Sequence, residues 1–309
     1  MIYLYEILQS CQSYILEVKG ELQNLQLNGI TAWDNAKHNT ISWVNKKVND
    51  RQRTIENLAS RVIVCGADIK YTNKIKQNNK ILILSDHPRL LIMRIANMFQ
   101  KPMTTSIAET AIIHTDAIIG QNVTIGNNCI IGKCSIGDDC HIMENTFIAD
   151  GTIIGSNCII NISAVIGCES GGIERDIDYS LTTFPHTSNV IIGNNVHIGP
   201  RTIITKGVLT PTIIRDGASI DSGCIIGHNT IIGETVYIAA AACISGSVNI
   251  GTGCNIFSGC IISEWVEIGE YSVIGMGSIV NKNIPAYELW YGHPAKLIRK
   301  LNAKYLPFE

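Results

Sequence analysis

The chain has 309 residues, of which 46% are hydrophobic and only 16% are charged, with a formal net charge of −2. Soluble domains usually carry about 25% charged residues. The balanced charge excludes a general nucleic-acid or membrane-surface binder, because such proteins show a basic excess. Gly, Asn or Asp interrupts every apolar stretch well before the ~18 residues that a membrane span requires, so we expect no such span.

The first 104 residues predict a mixed α/β domain. The segments "ISWVNKK", "RVIVCGAD" and "KILILSD" are apolar runs beside turn residues and indicate strands. The segment "DHPRLLIMRIANMF" has the spacing of an amphipathic helix with Pro88 in its first turn. The N-terminal residues lack the basic and apolar regions of a signal peptide. We therefore expect a cytoplasmic protein whose 11 cysteines are reduced thiols.

The residue composition changes abruptly after residue 105. Thirteen isoleucines and 11 leucines precede this point, whereas 42 isoleucines and 6 leucines follow it. This bias toward a β-branched residue indicates a strand-dominated domain. The predicted organisation is an α/β domain over 1–104, a strand domain over 105–284 and a cap over 285–309, where "PAKLIRKLNAKYL" indicates a short basic helix.

The strand domain repeats with a period of six residues. An aliphatic residue recurs at this interval through 26 hexads, in the runs Ile107–Ile131, Ile136–Ile166, Ile192–Ile204 and Ile214–Val280. The residue three places later is often Asn, Gly or Asp, which tolerate a positive φ and so predict a sharp bend. The residue four places later is small or β-branched and includes six cysteines, which we expect to be buried core residues: Cys129, Cys140, Cys158, Cys224, Cys254 and Cys260.

Three short strands joined by such bends make a coil of 18 residues. This pattern resembles the hexapeptide-repeat, left-handed parallel β-helix, a triangular prism. The fold prediction is therefore mainly β, with between eight and nine coils stacked ~4.8 Å apart, a small N-terminal α/β domain and a short C-terminal helix. Two segments leave the repeat, 167–191 and 205–213. The aromatic and charged content of the longer one favours a functional loop over a tolerated insertion.

The 18-residue coil also predicts a candidate active site. His228 lies two places after Ile226, and Gly246 lies 18 residues further on, so Gly246 should sit one coil above His228. A histidine beside a glycine backbone suits acyl transfer, because the imidazole can take a proton while the glycine N–H holds an oxyanion. Asp221, on the neighbouring face, is a candidate to orient the other ring nitrogen. An exposed corner histidine with no role is the alternative.

A resemblance to a known family adds to this pattern. The run "HIGPRTIITKGVLTPTIIRDGASIDSGCIIGHNTIIG" and the order of the parts resemble the UDP-3-O-acylglucosamine N-acyltransferase (LpxD) family over essentially the whole chain. The resemblance implies that His228 is the catalytic base, Asp221 its carboxylate partner and Gly246 the oxyanion donor. It also implies a homotrimer with active sites in the grooves between prisms.

The resemblance extends to the first domain, which it identifies as a nucleotide-binding domain. The segment "ISWVNKK" matches the family's uracil-binding segment, so Trp43 is implied to stack on the base. Asn45 and Lys47 are implied to lie near the nucleotide of the sugar substrate. Stacking reads only the face of a pyrimidine, so uracil and thymine both remain open.

Departures from the family point to a different acyl donor. Trp265 stands where the family has a second active-site histidine and is preceded by Glu264, and the family's longer C-terminal extension, which meets acyl carrier protein, is absent. The ending "YGHPAKLIRK" instead resembles coenzyme A-dependent hexapeptide acyltransferases. We therefore predict that Trp265, Glu264, Lys296 and Arg299 bind acyl-CoA, with a solvated helix face as the equal alternative for the cations.

These features predict an N-acyltransferase that moves an acyl group from acyl-CoA to the amine of a dTDP- or UDP-linked amino sugar for surface glycan synthesis, as in anthrose-type enzymes. The first alternative is the acyl-carrier-protein-dependent UDP-3-O-acylglucosamine N-acyltransferase of lipid A synthesis, and the second is a structural scaffold without catalysis. A γ-type carbonic anhydrase needs converging histidines, and the eight histidines include no close pair, so no metal is expected.

Overall fold

The computed structural model describes residues 1–22, 24–45, 47–100 and 104–302. The chain forms two compact units, Met1–Pro102 and Met103–Glu309. Each unit has its own hydrophobic core.

The N-terminal unit is an α/β fold around a five-stranded sheet. Its elements are β1 (Ile2–Tyr3), α1 (Leu4–Ser10), β2 (Glu17–Lys19), β3 (Gln26–Leu27), β4 (Ile30–Ala32), β5 (Ile41–Trp43), α2 (Arg51–Asn57), β6 (Val62–Cys65), α3 (Asn73–Gln77), β7 (Ile81–Leu84) and α4 (Pro88–Met98), with short 3₁₀ turns at Gln12–Tyr14 and Trp33–Asn35. The sheet order is β2-β7-β6-β5-β4, in which β4 to β7 are parallel and β2 is antiparallel. The three predicted strands and the predicted helix are therefore confirmed.

Helices cover both faces of this sheet, which explains why β6 and β7 are apolar without alternation. Val62 and Val64 pack on one side with Leu91 of α4. Ile63 packs on the other side with residues of α2 and α3, such as Ile55. All residues of β6 and β7 are buried.

The C-terminal unit is a left-handed parallel β-helix with three faces, as predicted. The first face holds the strands Thr124–Ile125, His141–Ile142, Ile159–Ile160, His197–Ile198, Ser219–Ile220, Tyr237–Ile238, Asn255–Ile256 and Val273–Ile274. The second face holds Ile112–Ile113, Ile130–Ile131, Phe147–Ile148, Val165–Cys168, Ile203–Thr205, Ile225–Ile226, Cys243–Ile244, Ile261–Ile262 and Ile279–Val280. The third face holds Ile118–Ile119, Ser135–Ile136, Ile153–Ile154, Val190–Ile192, Thr212–Ile214, Ile231–Ile232, Asn249–Ile250 and Glu267–Ile268.

The residues of each hexad occupy the interior and corner positions that the sequence pattern predicts. From Ile125 onward the aliphatic residue of each hexad is buried inside the prism, and the six hexad cysteines are 0% exposed. The corner residue three places later adopts a positive φ at nearly every bend, as at Asn157, Gly223 and Asn229. The predicted core thiols and recurrent bends are confirmed, and all eleven cysteines are free.

The two excursions leave the prism, and the coils resume in register beyond them, although the pairing shifts between Ile166 and Cys168 where the first excursion begins. The coil resumes after the first excursion, because Ile154 pairs with Ile192 and Ile166 with Ile204. Within that excursion, Ile173–Arg175 and Leu181–Thr183 form an antiparallel hairpin. The shorter excursion separates Ile192 from its partner Ile214 on the next coil.

The C-terminal cap is a β-hairpin, so the predicted helix is wrong. Glu288–Gly292 continues the first face by pairing with Val273–Ile274, and Ala295–Lys300 pairs antiparallel with it. The last strand of a parallel stack leaves an edge of unpaired N–H and C=O groups, and the returning strand satisfies them. Pairing with the preceding strand therefore outweighs the local sequence spacing, which by itself fits a helix. Residues 303–306 of the predicted helix lie outside the described residues.

Candidate active site

His228 and Gly246 lie together at one corner of the prism. Ile226 pairs in register with Ile244, so the residues two places later stack on consecutive coils. The imidazole occupies the space that a side chain at position 246 would need. A Cβ built on Gly246 would lie 2.5 Å from His228 Cε1 and 2.6 Å from Nε2.

The corner that follows the second face carries four stacked residues, which we name the His228 corner: Lys206, His228, Gly246 and Glu264. Among these only Gly246 lacks a side chain, although its φ lies outside the left-handed region that favours glycine. The His228 ring, and not the backbone, therefore accounts for the glycine.

The main-chain N–H of Gly246 has no hydrogen-bond acceptor among the described residues. Among the hydrogen bonds of the described residues, none uses this N–H as a donor, whereas the N–H of Ser247 donates to the His228 carbonyl at 2.7 Å. Gly246 itself is buried beneath the imidazole. An unengaged N–H beside an imidazole is the pair of groups that a tetrahedral oxyanion and its transferred proton require.

The ring of His228 is held by Asn229 rather than by Asp221. Nδ1 of His228 lies 2.9 Å from Asn229 Oδ1. The Asp221 carboxylate accepts a hydrogen bond from the N–H of Ser222 at 2.6 Å, and no hydrogen bond joins it to His228 in the part of the chain that the structure describes. Asp221 follows the first face and His228 follows the second, so one side of the prism separates them. The structure does not bring these two residues together within a single chain, and their pairing stays a prediction.

A second histidine from the longer excursion packs against the first. The rings of His186 and His228 meet edge to face, with centroids 5.5 Å apart and an interplanar angle of 80°. His186 is 3% exposed. It is held by Ser170 Oγ, 2.9 Å from Nε2, and by the Phe184 carbonyl, 3.2 Å from Nδ1. Sequence analysis missed His186, because it lies in a segment without the repeat and its distance from His228 follows no coil offset.

The predicted donor-binding residues fall in two places. Glu264 is exposed at the His228 corner. Trp265 beside it is 75% exposed, and its main-chain N–H donates to the Gly246 carbonyl at 3.3 Å. Lys296 and Arg299 are exposed on the last strand of the C-terminal hairpin.

The predicted nucleotide-binding residues lie at the carboxyl end of β5. Trp43 is partly buried against the core of the N-terminal unit. Asn45 Oδ1 accepts a hydrogen bond from the Lys47 N–H at 2.9 Å, which closes the turn after the strand. Trp33, which sequence analysis did not single out, follows the adjacent end of β4 and is 38% exposed. Trp33 and Trp43 therefore lie at the carboxyl ends of two neighbouring parallel strands.

The described residues offer neither a metal-binding cluster nor a membrane-spanning helix. No group of three or more His, Cys, Asp or Glu side chains within 1–22, 24–45, 47–100 and 104–302 is placed to hold a metal ion. In the same ranges, no helix is long and apolar enough to cross a membrane.

Comparison with known proteins gives short but consistent matches. No protein-family model matches the chain. Sixty residues are 45% identical to the UDP-3-O-acylglucosamine N-acyltransferase of Francisella tularensis subsp. holarctica, which is 19% of this chain and 18% of that protein. Fifty-eight residues are 41% identical to the enzyme of the same name from Cytophaga hutchinsonii, which is 19% of this chain and 17% of that protein. The chain thus matches less than a fifth of the length of these curated relatives.

Solved structures match a larger part of this chain. LpxA of Acinetobacter baumannii has a TM-score of 0.57 and 29% identity, and the match covers 63% of this chain and 74% of that one. The UDP-N-acetylglucosamine acyltransferase of Campylobacter jejuni has a TM-score of 0.57 and 26% identity over 63% of this chain and 75% of that one. The chain resembles the hexapeptide-repeat acyltransferases. This agrees with the family resemblance found in the sequence.

Proposed function

We propose that this chain is an N-acyltransferase that transfers an acyl group from a thioester to the amine of a UDP-linked amino sugar. The single observation that carries the proposal is the His228 imidazole lying over Gly246, at a corner of a β-helix that resembles acyltransferases of nucleotide sugars. Of the acceptors considered from the sequence, the UDP-linked sugar has the better support, because the curated relatives are named for it.

The proposed step needs only these two groups. The neutral amine attacks the thioester carbonyl, and His228 accepts the proton that nitrogen loses as the C–N bond forms. The Gly246 N–H holds the negative oxygen of the tetrahedral intermediate. Collapse breaks the C–S bond, and the imidazolium returns its proton to the departing thiolate. The products are an amide and a free thiol, and His228 is neutral again.

The acyl donor in this step is a thioester, and two carriers could supply it. Acyl carrier protein and coenzyme A both present an acyl group on phosphopantetheine. The exposed Trp265 and Glu264 next to Gly246 lie where the pantetheine arm would approach the reacting carbonyl. We assign these two residues to donor binding in either case.

The second face supports a trimer as the active form. In each strand of that face, the residue that precedes the buried aliphatic one is apolar, over nine coils: Ile112, Ile130, Phe147, Val165, Ile203, Ile225, Cys243, Ile261 and Ile279. Contiguous apolar surface of this length marks an interface, and closed symmetric oligomers are the common solution. The His228 corner borders this face, so a second copy packed on it would bring its own residues to the site. Asp221 is proposed to act from that neighbouring copy at an atom other than His228 Nδ1, which Asn229 already contacts.

The first domain is proposed to hold the nucleotide. Trp43 or Trp33 would stack on uracil, while Asn45 and Lys47 would lie near the rest of the nucleotide. The position of these residues at the carboxyl edge of the parallel sheet supports this assignment.

The test is an acylation assay with a panel of acceptors and donors. UDP-linked amino sugars with acyl carrier protein or coenzyme A thioesters should give an amide product and one free thiol per turnover. An assay in which neither donor acylates any UDP- or dTDP-linked amine would contradict the proposal. A metal chelator is the matched control and should leave the rate unchanged.

One observation favours a second candidate, the dTDP- or UDP-amino-sugar enzyme that uses acyl-CoA. Lys296 and Arg299 lie exposed on the C-terminal strand, where they can meet the phosphates of coenzyme A. Replacing Lys296 with Ala should then raise the KM for acyl-CoA and leave the KM for acyl carrier protein thioesters unchanged. Equal effects on both donors would remove this candidate.

A further inference from the structure

Asn229 connects the His228 corner to the 205–213 excursion. Its N–H donates to Thr212 Oγ1 at 2.9 Å. Its side-chain Oδ1 accepts from the Val208 N–H at 3.2 Å, and its Nδ2 donates to the Thr210 carbonyl at 2.7 Å and to Thr210 Oγ1 at 2.8 Å. The same Oδ1 lies 2.9 Å from His228 Nδ1.

These partners fix which atom of the amide is oxygen. A backbone N–H can only donate, so the atom facing Val208 must be the acceptor. A backbone carbonyl can only accept, so the atom facing Thr210 must be the NH₂ group. Two independent partners thus identify the oxygen and the nitrogen of the Asn229 amide, which distances alone would not distinguish.

The assignment of the amide determines the tautomer of His228. Because Asn229 Oδ1 can only accept, Nδ1 of His228 must carry the hydrogen in the neutral ring. Nε2 is then the nitrogen with the lone pair, and it lies 2.6 Å from the place where a Cβ of Gly246 would stand. The basic nitrogen therefore faces the corner that also presents the unengaged Gly246 N–H.

We infer that Asn229 is a positioning residue that fixes the Nδ1–H tautomer of His228, and that the 205–213 excursion holds Asn229 in place. The inference rests on the proposed function, for which Nε2 must be free to take the proton. A neutral amide performs this task without adding a charge beside the ring. Asn229 thus has, within each chain, the orienting role that sequence analysis predicted for Asp221.

The side chain of Asn229 can be removed without straining the backbone, because glycine adopts the same bend at other corners. Asn229 has a φ of 59°, and Gly223 and Gly253 occupy the same hexad position with φ values of 68° and 69°. Asn229→Gly therefore keeps the corner while removing the amide. Asn157→Gly is the matched control, because Asn157 has a φ of 58° at a corner of another face, far along the chain from His228. Asn229→Asp is the conservative variant: one carboxylate oxygen can still accept from Nδ1 and from Val208, and the change removes only the hydrogen bond that Nδ2 donates to the Thr210 carbonyl.

The direct readout is the ¹⁵N spectrum of the full-length protein labelled at histidine, recorded by magic-angle spinning at a pH where the rings are neutral. The His228 signals are identified by their loss in His228→Ala. We expect the wild type and Asn157→Gly to show a protonated Nδ1 and an unprotonated Nε2. Asn229→Gly should show a loss of this single tautomer, and Asn229→Asp should retain it. A protonated Nε2 in the wild type, or an unchanged spectrum in Asn229→Gly, would overturn the inference.

Kinetics provide the second readout. Loss of an outer partner that orients a metal-bound histidine typically costs roughly 10- to 100-fold in activity, and we take the same range for His228. We expect this loss in the kcat of Asn229→Gly, with recovery of most of it in Asn229→Asp and no loss in Asn157→Gly. Should the spectra agree while neither the wild type nor any variant acylates an amine, the proposed function fails and the tautomer assignment stands. Should Asn229→Gly change the tautomer and keep full kcat, the positioning role fails and the proposed function stands.

Discussion

Replacing Gly246 with Ala tests the contact that the site depends on. The new Cβ would lie 2.5 Å from His228 Cε1, 2.6 Å from Nε2 and 3.0 Å from Nδ1. Non-bonded carbon atoms prefer roughly 3.5–4.0 Å, so the ring must move by about 1 Å. A movement of this size would weaken the 2.9 Å hydrogen bond between Nδ1 and Asn229. The backbone at 246 adds no strain of its own, because its φ is not left-handed.

The expected cost has two parts. Overpacking at a half-buried site costs ~1–3 kcal/mol, and misplacement of a catalytic group by about 1 Å can cost ~100-fold in rate. Gly246→Ala should therefore lower Tm by several degrees and kcat by about two orders of magnitude. We compare Tm rather than an unfolding free energy, because stacked repeats need not unfold in one step.

A double-mutant cycle isolates the contact. In the His228→Ala background the ring is gone, so Gly246→Ala should have almost no effect on Tm. The assay is differential scanning fluorimetry of the four proteins with kcat measured on each. Equal Tm losses with and without His228 would refute the argument, because the alanine would then be clashing with something other than the imidazole.

Three further predictions concern the core, the nucleotide and the assembly. The six hexad cysteines are 0% exposed, and burial raises the pKa of the Cys254 thiol to about 12. At pH 8 the six should therefore react slowly with a thiol reagent until the protein is denatured, and rapid native labelling of most of them would contradict the register. Trp43→Ala should raise the KM for the nucleotide sugar by an amount equivalent to ~1–3 kcal/mol if it stacks on the base, and an unchanged KM would move the base to Trp33 or elsewhere. If Asp221 acts from a neighbouring copy, co-assembled His228→Ala and Asp221→Asn chains should regain activity that neither has alone, whereas inactivity of the mixture would exclude this arrangement.

The repeat made most of the fold predictable from the sequence. Each hexad is one strand and one bend, so the spacing of aliphatic residues determines the face, the coil and the direction of each side chain. The same rule brought His228 and Gly246 together, because an offset of 18 residues is one coil. The N-terminal strands were predictable because β6 and β7 are buried on both sides and so are continuously apolar.

The features that could not be predicted depend on segments that do not follow the six-residue repeat. Asn229 was visible in "GHN" but was assigned only to the bend, because the positions of Val208 and Thr210 depend on the path of the 205–213 excursion. His186 reaches His228 only because the longer excursion folds back on the prism. The C-terminal strand has a local spacing that also fits a helix, and only the open edge of the last coil determines its structure.

The most direct test of the proposed chemistry is the kcat of His228→Ala and His228→Asn in the acylation assay, with donor binding and oligomeric state measured on the same samples. General-base catalysis contributes ~10²–10⁴-fold, and neither substitution leaves a group that can take a proton at neutral pH. Both variants should lose activity by that factor while keeping the Tm, the oligomeric state and the affinity for donor of the wild type. Activity within a few-fold of the wild type in both variants would contradict the account.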